Sequence, residues 1–338
     1  MNYAVGRSPS NRNDSQPAGL SQIYRPIEQH LAAVDQLLQD QIAMASAPIA
    51  EKLNATGLAS GKRVRPAMLL LAGGCFADLK KPHVAASAAL ELVHVATLVH
   101  DDVLDGADER RHEPSLNALC DNTSAILTGD YLFSKAFEVA CASASMETVR
   151  LIAQSSCNVC EGEIQQNLST GNFELSESEY FSIISMKTAQ LCKVACGLGG
   201  ILSECDDSTV ERLFQFGEDI GIAFQIIDDV LDIVGTEEQV GKTLGTDLSN
   251  KKMTLPMIHC LANTKDDGRR AEMLSQLEQG MAAEQAVEYL SQSGSIEYSR
   301  ENARKHATNA LSFASELGDS LHAVGLRQLA EFVLMRTH

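Results

Sequence analysis

One pentapeptide, Asp-Asp-Val-Leu-Asp, occurs twice, at Asp101–Asp105 and at Asp228–Asp232. Read as helix, each copy stacks its first and last aspartate four residues apart on one face, with Asp102 and Asp229 beside them. Like charges at that spacing repel by roughly 0.3 kcal/mol on an open helix, and by more where water is thinned, so cations among them would give the pattern its sense. Oxygen donors without cysteine or histidine suit Mg²⁺ rather than zinc or copper. Mg²⁺ held by one or two carboxylates completes its shell with water and substrate phosphate. A solvated acidic face would explain a single copy as well. Each copy, however, ends an apolar run, Leu92, Val93, Val95, Ala96, Leu98 and Val99 before the first, and Ile220, Ile222, Phe224, Ile226 and Ile227 before the second. Acids that cap buried segments need compensating charge, so Asp101, Asp102, Asp105, Asp228, Asp229 and Asp232 are read as metal ligands.

Cations lie close to these acids in sequence. Lys62, Arg63 and Arg65 form one group, Arg110 and Arg111 a second, and Lys242, Lys251 and Lys252 a third. In Gly61-Lys62-Arg63-Val64-Arg65-Pro66 the cations fall at a helix start, where backbone N–H groups and guanidinium forks can meet an anion, although such residues are more often simply solvated. His94 lies two turns before Asp101 on nearly the same face, a place where histidine is usually structural. Gln225 precedes Asp229 by four and shares its face. Lys187 and Thr188 interrupt an otherwise apolar helix; the lysine either snorkels or, with the hydroxyl, turns charge and dipole towards a cavity.

The elements that must carry these groups read as helices. Proline is absent from Asn117 to Leu255, a span rich in Ala, Leu, Glu, Gln and Ser without period-two alternation. Helices are expected at about Leu20–Ala45, Val64–Phe76, His83–Leu104, Thr123–Ser143, Met146–Leu168, Glu177–Leu202, Asp207–Val234 and Lys252–Leu261, with more after Arg269. No linker divides them, so the reading is one all-α bundle around a central cavity over residues 20–338, preceded by a disordered tail over residues 1–19.

A formal charge of −18 excludes a nucleic-acid binder, because no continuous basic stripe is present to displace counterions. Local cations beside metal-binding acids suit a small polyanion such as a diphosphate. Nine scattered cysteines argue for reduced thiols in the cytoplasm, and the lone pair Cys157/Cys160 reads as helix-face residues rather than half a zinc site. No apolar run approaches the roughly 20 residues that span a bilayer.

With these pieces in order, the chain resembles the trans-isoprenyl diphosphate synthases of the polyprenyl synthetase type, from Leu20 to the C-terminus. The resemblance rests on GKRVRP (Gly61–Pro66), ELVHVATLVHDDVLDGADERR (Glu91–Arg111), GDYLFSKAF (Gly129–Phe137), EGEIQQ (Glu161–Gln166), KTAQL (Lys187–Leu191), GIAFQIIDDVLDIVG (Gly221–Gly235) and KKMTLP (Lys251–Pro256). It departs where His112 and Lys251 stand in place of the family's usual glycines. The resemblance implies the isoprenoid synthase fold, Mg²⁺ bound by both aspartate motifs, and condensation of isopentenyl diphosphate with an allylic diphosphate. It implies that Arg110, Lys187 and Lys252 stabilise the leaving diphosphate, that Lys62, Arg65, His94 and Arg111 bind isopentenyl diphosphate, and that Thr188 and Gln225 stabilise the allylic cation. Lys242 joins the expected substrate-binding set, and a homodimer is expected on the same ground. A terpene cyclase would share the fold but replace the second motif. An inactive partner subunit would show eroded acids.

Product length turns on what lies beneath the first motif. Thr97 is one turn below Asp101 on nearly the same face, about 6 Å down the helix. Short-chain members of the family commonly place aromatic residues at the positions held here by Ala96 and Thr97, and Val93 and Leu90 below are apolar but not aromatic. The expectation is a long-chain polyprenyl diphosphate, made for a quinone side chain or a similar lipid and delivered to a membrane; a short-chain product is the alternative.

Overall fold

In the computed structural model, residues 19–56, 58, 61–110, 113–141, 145–235 and 245–336 are described. Residues 1–18 of the expected N-terminal tail lie outside them, as do Arg111, His112 and Lys242. The chain runs α1 (Leu20–Tyr24), α2 (Glu28–Met44), α3 (Ala47–Ala55), α4 (Val64–Gly74), α5 (Lys81–Leu104), β1 (Glu109–Arg110), β2 (Glu113–Pro114), α6 (Leu116–Leu119), α7 (Asn122–Cys141) and α8 (Met146–Leu168). It continues with α9 (Glu177–Ile184), a π-helical segment (Ser185–Ala189), α10 (Gln190–Leu202), α11 (Asp207–Val234), α12 (Thr246–Ser249), α13 (Leu255–Asn263), α14 (Asp267–Gln279), α15 (Ala283–Ser293), α16 (Ser295–Glu316) and α17 (Leu321–Met335). The paired strands β1 and β2 are antiparallel, Glu109 opposite Pro114.

Two expected helices are split. The first breaks at a 3₁₀ turn, Arg25–Ile27, where Pro26 removes a backbone donor and fixes its own φ. The helix expected over Glu177–Leu202 becomes α9 and α10 on either side of the π segment, a distortion that apolar periodicity does not report. The expected start at Lys252 moves to Leu255, with Pro256 in the first turn, where a missing N–H costs nothing.

Helix α11 organises the interior. Asp206 caps it, its carboxylate accepting from Thr209 N at 2.9 Å, and no proline interrupts its 28 residues. Leu213, Phe216, Ile220 and Ala223 face one core, shared with α4, α5, α7 and α10. Ile222, Ile226, Ile227 and Ile233 face a second, shared with α9 and with α12 to α16. The second aspartate motif therefore sits on a helix held on two sides.

The first motif ends α5. By length and composition α5 is apolar enough to cross a bilayer, but 72% of that stretch is buried inside the protein. Ala86, Ala88, Ala89, Leu90, Leu92, Val93 and Ala96 along it are fully buried.

Candidate active site

The π segment lies between the two aspartate motifs. Lys187 answers to the first: burial alone would pull its pKa down, but Asp101 and Glu163 outweigh this and raise it. Its ammonium donates to Gln166 Oε1 at 2.7 Å and ion-pairs with Glu163. Thr188 answers to the second, its hydroxyl donating to Gln225 Oε1 at 2.7 Å, while Gln225 Nε2 donates to Asp229 Oδ1 at 2.7 Å. One turn of widened helix thus links Asp101 to Asp229 through two adjacent side chains.

Two glycines hold that turn in place. A Cβ on Gly162 of α8 would stand 2.6 Å from the Lys187 backbone nitrogen, and one on Gly221 of α11 would stand 2.5 Å from Ala189 Cα. Helices α8 and α11 therefore grip the segment backbone to backbone, and any larger residue would push it away.

Within each motif the aspartates have different surroundings. Asp102 is buried, and Arg110 Nε donates to its two oxygens at 2.8 and 2.9 Å. Asp229 is likewise buried, taking the Tyr180 hydroxyl at 2.6 Å on one oxygen and Gln225 on the other. Burial, with the negative charge of Asp247 nearby, raises the Asp229 pKa. Asp232 is wholly buried and accepts from Asp247 N at 3.1 Å, joining the end of α11 to α12. Asp101, Asp105 and Asp228 are more open. Asp105 meets Lys252 Nζ at 2.6 Å across 147 residues of sequence, and Asp228 meets Arg336 Nη2 at 3.1 Å. Burial pushes the Asp101 carboxyl up to about 6; Glu163 and Asp105 add to this, against Lys187 and Arg110.

The remaining expected residues take definite places. Lys62 is exposed, and Arg65 is partly buried with Nε making no hydrogen bond among the described residues. His94 and Thr97 are partly buried on the same stretch of α5 as Asp101, the Thr97 hydroxyl donating to His94 O at 2.7 Å. Ala96 and Val93 are completely buried in the first core. Arg63, grouped with Lys62 and Arg65 in the sequence, turns inward instead. Lys251, at a usual glycine position of the resembled family, has φ +55°, the left-handed region that glycine enters without strain. This turn precedes the lysine that reaches Asp105.

Several participants were not singled out from the sequence, Asp247 among them. Glu163 and Gln166 stand three apart on α8, a spacing that puts both beside one partner and that EGEIQQ already displayed. Tyr180 carried no signal, and neither did Arg336, which lies at the far end of the chain and stacks over Phe224 at 4.8 Å.

The residues matched by the polyprenyl synthetase family model are 47–293, most of the chain. The chain belongs to the polyprenyl synthetase family. It is an enzyme, a trans-prenyltransferase, with the all-α isoprenoid synthase fold. It is 31% identical over 322 residues to the octaprenyl diphosphate synthase of Escherichia coli, covering 91% of this chain and 99% of that one. It is 35% identical over 286 residues to a short chain isoprenyl diphosphate synthase of Methanothermobacter thermautotrophicus, 83% of this chain and 88% of that one. Among solved structures, a polyprenyl synthase from Caulobacter crescentus complexed with calcium and isoprenyl diphosphate is similar at TM-score 0.86 and 29% identity, covering 93% of this chain and 97% of that one.

The carboxylates of this chain fit a hard divalent cation by donor type, and the burial that raises the Asp101 pKa disfavours its charged form, which a bound cation would favour. As they stand, no three acidic, histidine or cysteine side chains among the described residues are gathered to hold a metal. Lys252 and Arg336 supply positive charge beside Asp105 and Asp228.

Proposed function

We propose that this protein condenses isopentenyl diphosphate with an allylic diphosphate in a Mg²⁺-dependent reaction, and that the product is a long all-trans chain for a quinone or similar membrane lipid. The observation that carries the reading is the π segment, which puts Lys187 beside Asp101 and Thr188 on the Gln225–Asp229 pair. The calcium and isoprenyl diphosphate in the Caulobacter relative support the same substrate class.

Asp101, Asp105 and Asp228 would hold Mg²⁺, whose Lewis acidity neutralises the allylic diphosphate when bound. Asp102, Asp229 and Asp232 work behind them, fixing Arg110, Gln225 and the α11–α12 junction. As the allylic C–O bond breaks, charge grows on the departing diphosphate, and Arg110, Lys187 and Lys252 stabilise it most at that moment. Lys62, Arg65, His94 and Arg111 hold isopentenyl diphosphate, with Lys242 in the same substrate-binding set. The isopentenyl double bond forms the new C–C bond, and the Thr188 hydroxyl and Gln225 amide stabilise the cation. The freed diphosphate accepts the proton lost as the new double bond forms.

Product length rests on Thr97 and its small neighbour Ala96, since relatives of both lengths are similar to this chain. A homodimer in the cytoplasm completes the reading; nine free thiols fit a reducing compartment. Diphosphate release by the purified protein, with Mg²⁺ or with chelator, tests the reaction, and chromatography of the products tests the length. Release that needs both substrates and Mg²⁺ is expected. Release from the allylic substrate alone would make the protein a cyclase, and none at all an inactive subunit.

A further inference from the structure

The three cations of Gly61–Pro66 are used differently. Lys62 is exposed, whereas Arg63 is only 5% exposed and spends its guanidinium inside the protein. Arg63 Nε donates to Asp35 Oδ1 at 2.7 Å, Nη1 to Glu91 Oε1 at 3.0 Å, and Nη2 to the Leu58 carbonyl at 2.6 Å. Burial disfavours the charge, but Glu91 and Asp35 more than offset that and keep the guanidinium ionised. A Cβ on Gly61 would stand 2.7 Å from Arg63 Nη1 and 2.9 Å from Glu91 Oε1, so the chain closes tightly around this cluster.

The backbone of Arg63 is in the left-handed region, φ +55° and ψ +35°. An L-residue resists that conformation, and it persists where the surroundings over-determine it. Here the surroundings are three points of attachment: α2 through Asp35, the segment after α3 through Leu58, and α5 through Glu91. Ten residues along α5 from Glu91 stands Asp101, roughly 15 Å at the helical rise. The Arg63–Glu91 pair therefore ties the cationic segment to the helix that carries the first aspartate motif.

We propose that Arg63 is a positioning residue for the second substrate: pinned between Asp35 and Glu91, it sets Lys62 and Arg65 at a fixed offset from Asp101 and Asp105. The inference rests on the proposed function, in which those two cations hold isopentenyl diphosphate. The buried Nε of Arg65, without a hydrogen-bond partner among the described residues, is a donor suited to that diphosphate. Holding two substrates in register is worth much in such a reaction, and a misplacement of about 1 Å can cost on the order of a hundredfold in rate.

Steady-state kinetics on the full chain in Mg²⁺, with each substrate varied at saturating levels of the other, test this. Arg63→Lys keeps the charge but not the fork. Glu91→Gln keeps an acceptor of the same shape without its charge, and carries the test if the Arg63 variant folds poorly. Both are expected to raise the KM for isopentenyl diphosphate about tenfold or more and to leave the primer KM within about twofold. Adding Lys62→Ala to Glu91→Gln is expected to do less than the product of the single effects, since a misplaced lysine has less to lose. Equal rises in both KM values, or a fall in kcat alone in folded protein, would overturn the positioning role while leaving the reaction intact. Wild-type protein that consumes neither substrate would remove the proposed function and this inference with it.

Discussion

Arg110 Nε donates to both carboxylate oxygens of Asp102, at 2.8 and 2.9 Å, so the second aspartate of the first motif faces a protein cation. The second motif repeats the division with Asp229, whose oxygens go to Tyr180 and Gln225. Two identical pentapeptides thus hold their second residue inward and leave the first more open, while their last residues differ, Asp105 exposed and Asp232 wholly buried.

That division predicts unequal losses. Asp101→Ala and Asp228→Ala are expected to lower turnover by about a hundredfold or more, the scale of losing one preorganised stabilising group. Asp102→Asn and Asp229→Asn, which keep an acceptor for Arg110 or Gln225, are expected to lose about tenfold. Turnover measured across a Mg²⁺ titration checks this; equal losses at all four positions would erase the distinction.

Gly162 offers a second test, because its Cβ would meet the Lys187 backbone. Gly162→Ala is expected to cost about 1–3 kcal/mol, as overpacking does, and to displace the π segment. A kcat that falls tenfold or more at a temperature where the variant is fully folded would show the displacement. Unchanged kcat beside a lowered Tm would confine the glycine to packing.

Thr97 and Ala96 separate by burial. Thr97 is partly buried on the stretch of α5 that carries Asp101, whereas Ala96 is sealed in the core. Thr97→Phe is expected to shorten the product distribution with little change in Tm. Ala96→Phe is expected to destabilise by about 1–3 kcal/mol. Chromatography of products beside thermal melts decides between them, and a Thr97→Phe enzyme with unaltered products would move the floor elsewhere.

His83 supplies a pH dependence of stability. It is 1% exposed; Nδ1 accepts from Lys80 N at 3.2 Å, and Nε2 lies 3.1 Å from Ser203 Oγ, which donates to the Gly73 carbonyl. Burial lowers its pKa below the ordinary 6.5, against the backbone hydrogen bond from Lys80, and the positive charges of Lys80 and His30 add to the lowering. The unfolded chain binds this proton more readily than the folded one, so the contribution of His83 to stability is full above about pH 6.5 and declines as pH falls below it. Denaturant melts of wild type and His83→Gln at pH 8 and pH 5.5 are expected to converge at the lower pH. A constant gap would exclude His83 as the source.

Much of this arrangement was legible in the chain itself. The paired aspartate motifs, the helical class, the order of the basic segments and the boundaries of α8 and α11 follow from residue type and spacing, because helical periodicity is local. A glycine usual in the resembled family at position 251 even foreshadowed the left-handed turn that Lys251 adopts. Other features needed the fold. Arg63 reads as one of three exposed cations until Asp35 and Glu91, each 28 residues away, close on it. The π segment forms where α8 and α11 press against one turn, and no local pattern encodes that pressure. Lys252 meets Asp105, and Arg336 meets Asp228, across more than a hundred residues of sequence. Which aspartate of each motif turns inward was settled by partners on other elements: sequence spacing gives a residue its face on a helix, and only tertiary packing decides what that face meets.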